Sequence, residues 1–180
     1  VIASFSLLIL STALTDLYWT SKASKNTPSV VEDVVTLTLE CFKAELCISK
    51  NAPKADYQKL ANDESESQFD MIKKFELDIK THKELIAYCQ EKNIIFLSTP
   101  FDHYSIDLLS GLGLQIFKIP SGEVTNLPYL RHIGSLGKRI ILSTGMSNLQ
   151  EVGDALSILI NAGTSKDNIT VLHANTMYPT

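Results

Sequence analysis

From residue 65 onward short continuous apolar runs take turns with segments whose apolar positions recur at a helical spacing of about 3.6, which marks out a succession of strands and helices. Ser65 to Leu77 puts Phe69, Ile72 and Phe75 near one helical face. Thr81 and Glu84 form a capping-box pair ahead of Leu85, Ile86 and Cys89, with Asn93 as the stop. The run Ile94 to Ser98 reads as a strand. Asp102 caps the next helix, which carries Ile106, Leu108 and Leu109 and ends at Gly111-Leu112-Gly113. A strand at 114–119, a short helix from Pro128 to Leu136 and a strand at 139–143 follow. Ser147 and Gln150 open the last helix by capping-box logic, Gly163 closes it, and Val152, Leu156, Leu159 and Ile160 are expected to face inward. A strand from about 169 to 174 completes the pattern.

Strand and helix in strict alternation, joined by short turns, predict βαβ units and a parallel sheet. The strands read as continuous apolar runs, as strands covered on both faces do. A doubly wound sheet and a barrel both fit. No G-x-G-x-x-G follows any strand, which weakens the dinucleotide-binding option and favours the barrel. Upstream, Val35, Leu37, Leu39 and Cys41 alternate with Thr36, Thr38 and Glu40, so Val30 to Cys41 suits a half-buried strand. Residues 48–64, with Pro53, Asn62 and Asp63, read as a long polar loop, either a binding loop or a solvated connector.

The chemistry gathers where the strands end. Ser98-Thr99-Pro100-Phe101, Lys118-Ile119-Pro120-Ser121-Gly122-Glu123, Ser143-Thr144-Gly145-Met146 and the stretch His173 to Thr180 each follow an apolar strand. Parallel barrels place their sites at the C-terminal strand ends, so four such clusters predict one shared polar pocket. Lys118 suits an anion as a compact charge with three donors, although a salt-bridged surface lysine fits its position equally well. Ser121-Gly122 and Ser143-Thr144-Gly145 pair hydroxyl donors with glycines that let backbone N–H groups approach an oxyanion; for any single pair, a turn or cap is the plainer explanation. Glu123 is the acidic group left in these clusters once Asp102 is assigned to a cap, with pairing to Lys118 as its structural alternative.

Composition narrows the class without choosing within it. The 180 residues are 44% hydrophobic and 20% charged, enough for a buried core in one globular domain. A net charge of −4 and no long basic cluster argue against nucleic-acid binding. Cys41, Cys47 and Cys89 form no C-x-x-C pair and read as free thiols of a reducing, cytoplasmic setting. His82, His103, His132 and His173 show no metal-ligand spacing. Residues 1–15 carry no charge, but Phe5 to Leu10 is too short and too rich in nearby Ser and Thr to span a bilayer, and no basic segment precedes it. No membrane partner is expected.

In order along the chain, the motifs Phe42-Lys43-Ala44-Glu45, Ala52-Pro53-Lys54-Ala55-Asp56-Tyr57-Gln58, Glu66-Ser67-Gln68, Ser98 to Asp102, Lys118 to Glu123, Asn126 to Leu130, Leu142 to Met146 and Tyr178-Pro179-Thr180 resemble the sialic acid synthases. These enzymes condense phosphoenolpyruvate with an N-acetylated sugar aldehyde. The resemblance covers Phe42 to Thr180, about three quarters of the chain, and is strongest to the bacterial branch making N-acetylneuraminate or the related legionaminate and pseudaminate. It implies an α/β fold, a partial (β/α)₈ barrel with approximately strands two to six, so that 42–180 is a partial synthase domain and 1–41 an atypical segment. The family's Glu-x-Gly-x-Asn-His-x-Gly motif is absent from 1–41, and Thr38-Leu39-Glu40-Cys41 stands where the family has Lys-Phe-Gln-Thr. A lysine used on phosphoenolpyruvate is thereby replaced, which points to a foreign or misread start upstream of Phe42.

The same resemblance assigns roles. Lys118, Ser121, Ser143 and Asn175 bind phosphoenolpyruvate; Glu123 lies beside the sugar and assists proton transfer; Tyr178 packs against the N-acetylated sugar. It implies a divalent metal, manganese or magnesium, whose two histidine ligands are expected beyond Thr180, and a homodimer for the full-length protein. His173 matches no metal ligand and is expected to be buried in its strand. Two other readings remain. One is a Schiff-base aldolase with Lys118 as nucleophile. The other is a catalytically inactive fragment whose open sheet edges promote association.

Overall fold

A computed structural model describes residues 36–53 and 67–175. Residues 1–35, the start of the helix expected from Ser65, much of the 48–64 loop, and Tyr178 lie outside the described residues.

Five parallel strands succeed one another in chain order. β1 (Thr36–Cys41) pairs with β2 (Ile95–Pro100), Glu40 opposite Thr99 and Cys41 opposite Pro100. β3 (Ile116–Ile119), β4 (Arg139–Ser143) and β5 (Ile169–Leu172) form a second sheet in that order, Lys118 opposite Ile141 and Ser143 opposite Leu172. β2 lies alongside β3, so the two sheets are neighbours. The connections carry α1 (Ala44–Cys47), α2 (Gln68–Lys73), α3 (Ile79–Glu91), α4 (His103–Gly111), α5 (Leu127–Ser135) and α6 (Leu149–Ala162). The fold is thus α/β with parallel strands, as the strand–helix alternation predicts.

The core fixes which face of the strands points where. Phe117 and Ile119 of β3 and Ile140 and Leu142 of β4 join Ile106, Leu109, Tyr129, Leu130, Ile133, Ala155 and Leu159 from the helices in one buried cluster, together with Cys41 of β1. Each fully buried large side chain of this kind contributes about 1.5–3 kcal/mol. Because successive strand residues point to opposite faces, Lys118, Ile141 and Ser143 lie on the face turned away from the helices, and so does Glu40, the neighbour of Cys41. Thr99, opposite Glu40 in register, shares that face. A second cluster of Phe42, Ala44, Phe69, Met71 and Ile72 lies beyond the end of β1, with the Phe42 and Phe101 rings edge-on at 6.5 Å.

Helix starts follow the side chain best able to accept from the first-turn backbone. Asp102 caps α4 as expected, accepting from Ser105 N–H at 2.7 Å. α3 begins earlier than the Thr81–Glu84 spacing suggests: Asp78 accepts from Thr81 N–H at 2.7 Å, and Thr81 is inside the helix. A charged carboxylate is the stronger acceptor. In α6 the capping box is Asn148 with Glu151, one residue on from Ser147 and Gln150, with reciprocal bonds of 2.9 Å. Leu159 is buried as expected, together with Ala155, and Val152 and Leu156 are half-buried, whereas Ile160 is exposed. β3 begins at Ile116, two residues later than expected, because the turn after α4 runs through Gly113 at φ +88.

Candidate active site

The C-terminal ends of β1 to β4 are tied to one another by hydrogen bonds from the residues that follow them. After β1, Lys43 N–H donates to the Asp102 carboxylate at 2.9 Å, and Phe101 N–H donates to the Cys41 carbonyl at 3.0 Å, joining the ends of β1 and β2. The Tyr129 hydroxyl reaches from α5 to the Pro100 carbonyl at 2.8 Å. After β3 the chain makes a 3₁₀ turn over Ser121–Glu123, and Gly145 N–H, just past β4, donates to Ser121 Oγ at 2.8 Å. Thr144 then bonds to the Leu172 carbonyl through both its N–H (3.2 Å) and its hydroxyl (2.8 Å), which ties β4 to β5.

Of the residues singled out in the sequence, the structure brings Lys118, Ser121, Ser143 and Glu123 to these strand ends. Ser143 is buried at the end of β4. Ser121 uses its oxygen as an acceptor from Gly145, so its own O–H is left to donate. Asn175 lies three residues past β5 and is exposed. His173 is exposed as well, one residue beyond the strand rather than buried within it, because β5 has only β4 as a strand partner among the described residues. Tyr178 is outside the described residues.

Glu123 is 1% exposed. Its Oε2 accepts from Asn126 Nδ2 at 2.6 Å, while its Oε1 is buried with no partner among the described residues. Burial pushes its carboxyl above the usual carboxylate range, against the Asn126 bond and the nearby His103. Pairing of Glu123 with Lys118 is not what the structure shows. The charge acting on Lys118 is Glu40; burial lowers the ammonium's pKa and Glu40 raises it. Glu40 itself is pushed up to about 7 by burial, with Lys118 pulling the other way.

Glu40 is the functional candidate that sequence reasoning passed over, although the alternation of Thr36, Thr38 and Glu40 with apolar neighbours already placed it on the polar face. A second such group is on α4 and α5. His103 and His132 stack at 5.0 Å with their Nδ1 atoms 2.7 Å apart, and His132 Nε2 lies 2.9 Å from Asp107 Oδ1. No spacing rule joins residues 29 apart in sequence; only the packing of α4 on α5 does.

Among the described residues no three His, Cys, Asp or Glu side chains come together to hold a metal ion. Two concavities, of about 390 and 330 Å³, lie between α5 and α6 and around the starts of β2 and β3, and neither contains a strand-end residue. No described helix is long and apolar enough to cross a membrane.

Known proteins are similar to this chain in sequence and fold. The chain is 57% identical over 140 residues to an N,N'-diacetyllegionaminic acid synthase of Campylobacter jejuni, covering 78% of this chain and 42% of that protein. It is 41% identical over 142 residues to the enzyme of the same name from Legionella pneumophila, covering 78% and 40%. The chain therefore spans about two fifths of these relatives. Among solved structures, the spore coat polysaccharide biosynthesis protein of Bacillus subtilis superposes with a TM-score of 0.62 at 26% identity, over 81% of this chain and 37% of that one. An N-acetylneuraminic acid synthetase from Leptospira borgpetersenii shares the fold with a TM-score of 0.65 at 24% identity, over 81% and 45%. The family match runs over residues 33–180 and so takes in β1 as well as the later strands: the chain belongs to the NeuB family.

Proposed function

We propose that this chain forms the phosphoenolpyruvate-binding part of a synthase that joins phosphoenolpyruvate to an N-acetylated sugar aldehyde and releases phosphate. The strands are read as strands two to six of a (β/α)₈ barrel whose inner face carries Lys118 and Ser143. The high identity to two N,N'-diacetyllegionaminic acid synthases favours an acceptor of the legionaminic type over N-acetylmannosamine. One observation carries the reading: Gly145 N–H donates to Ser121 Oγ at 2.8 Å, which joins the ends of β3 and β4, the two strands that carry Lys118 and Ser143 on one face.

In this site the Lys118 ammonium meets the anionic phosphate or carboxylate, and the Ser121 and Ser143 hydroxyls and Asn175 amide supply directed donors. Burial favours the protonated form of Glu123, which suits a group that gives a proton to the aldehyde oxygen as the C2=C3 π pair of phosphoenolpyruvate bonds C3 to the aldehyde carbon; a water molecule then adds at the electron-deficient C2, and phosphate leaves. Tyr178 offers the sugar a flat apolar face. Manganese or magnesium, the metal the family implies, would polarise the aldehyde; the described residues do not form its site, and the chemistry derived from this chain stops at anion binding and the Glu123 proton. The full-length protein is proposed to work as a cytoplasmic homodimer.

Calorimetric titration with phosphoenolpyruvate tests the reading. Binding by the native chain and its loss in Lys118→Ala are expected, and equal affinity in the two would overturn it. The lowered pKa of Lys118 also suits a Schiff-base nucleophile. Borohydride treatment with pyruvate separates the two: covalent labelling of Lys118 would establish the aldolase, and an unlabelled lysine the synthase.

A further inference from the structure

The polar face of the strands carries one carboxylate that no binding role accounts for. Glu40, the last residue but one of β1, stands opposite Thr99 of β2 in register, and β2 separates it from β3, where Lys118 sits on the same face. Each of the two groups feels the other's charge, and no hydrogen bond or ion pair joins them. The groups turned toward Glu40 are few. Thr38 shares its strand face, β2 presents Leu97 and Thr99, and β3 presents Lys118, which is the charged group acting on it among the described residues. Lys43 and Asp102 belong to the other side of β1, where they act on Cys41.

An anion that approaches Lys118 along this face of the strands must come near the Glu40 carboxylate, one strand away. Ionised, Glu40 both satisfies the lysine's charge and repels the ligand; protonated, it does neither. We propose that Glu40 is a proton-operated gate on the anion site at Lys118: loss of its proton closes the site to phosphate- or carboxylate-bearing ligands, and its protonation opens it. The proposal rests on the anion-site reading of Lys118. Burial already holds the Glu40 carboxyl at about 7, so the gate works around neutrality.

Glu40→Gln has the same shape and no charge, and it tests the gate by two measurements. The first is carbon-detected NMR titration of the Glu40 carboxyl in the native chain. A midpoint near neutrality is expected, and a midpoint in the ordinary carboxylate range overturns the gate. The second is calorimetric titration with phosphoenolpyruvate at pH 6 and pH 8, comparing native and Glu40→Gln at each pH so that the ligand's own ionisation cancels. The variant is expected to bind roughly tenfold tighter at pH 8, with near-equal affinity at pH 6. Binding that is the same in both proteins at both pH values overturns the gate alone. No binding by either protein at either pH overturns the anion-site reading and the gate with it.

Discussion

The backbone N–H of Gly145 donates to Ser121 Oγ at 2.8 Å, and this bond crosses from the end of β4 to the end of β3. A hydroxyl that accepts from the backbone is oriented, with its proton turned elsewhere. Ser121→Ala removes that donor and also leaves Gly145 N–H without its acceptor. Phosphoenolpyruvate affinity is expected to fall about tenfold, the equivalent of roughly 1–1.5 kcal/mol for one lost hydrogen bond. Calorimetry on the variant checks this, with Ser157→Ala as the control, since the Ser157 hydroxyl bonds only within α6, to the Gly153 carbonyl at 2.9 Å.

Helices α5 and α6 meet at Gly134. A Cβ there would stand 2.9 Å from the Ala162 Cβ, 3.1 Å from the Leu159 carbonyl oxygen and 3.2 Å from the Leu159 Cα. None of these is the end of a flexible chain, so the helices must separate. Gly134→Ala is expected to lower stability by about 1–3 kcal/mol. Gly153 is also inside a helix, but a methyl group added there would meet nothing within 4 Å, so Gly153→Ala should raise stability by up to about 1 kcal/mol. Urea midpoints of the two variants, shifted in opposite directions, would confirm that close approach and not helix propensity governs Gly134.

Much of this architecture was legible because period and capping are local. The strands at 95–100, 116–119 and 139–143 and the Asp102 cap follow from residues within a few positions of one another. The misplaced starts of α3 and α6 arose where two plausible caps lie close together, and the choice depends on which side chain reaches the first-turn N–H groups. In the site, Lys118, Ser121, Ser143 and Glu123 could be named from strand-end position. What each one touches could not. Glu123 finds Asn126 three residues on, whereas Lys118 and Glu40 are separated by one strand, β2, and by 78 residues of chain, a relation set only by how the strands are placed side by side.

All three cysteines are free, and burial raises each thiol, Cys47 to about 12 with Asp102 adding to the effect. Alkylation needs the thiolate. Iodoacetamide at pH 8 is therefore expected to modify the native protein slowly at Cys41, Cys47 and Cys89, and all three rapidly once urea unfolds it. Mass spectrometry against time gives the rates; fast native labelling of Cys47, the half-buried one of the three, would show that the contact between α1 and the Asp102 loop opens readily.

Glu40 also ties stability to pH, with a sign opposite to that of a paired surface carboxylate. Its folded-state pKa is raised, from 4.5 to about 7, so the folded chain holds this proton more tightly than the unfolded chain does. Below about pH 4.5 both states are protonated and the group contributes nothing. As pH rises toward 7 the unfolded chain ionises first, and stability falls by up to about 3 kcal/mol at 1.4 kcal/mol per pKa unit. Above 7 the loss is complete and constant. Glu40→Gln removes the loss: its urea midpoint should match the native protein at pH 4 and exceed it at pH 8. A variant less stable than native at pH 8 would mean that the attraction of Lys118 outweighs the desolvation of Glu40, reversing the order of the two effects at the centre of the site.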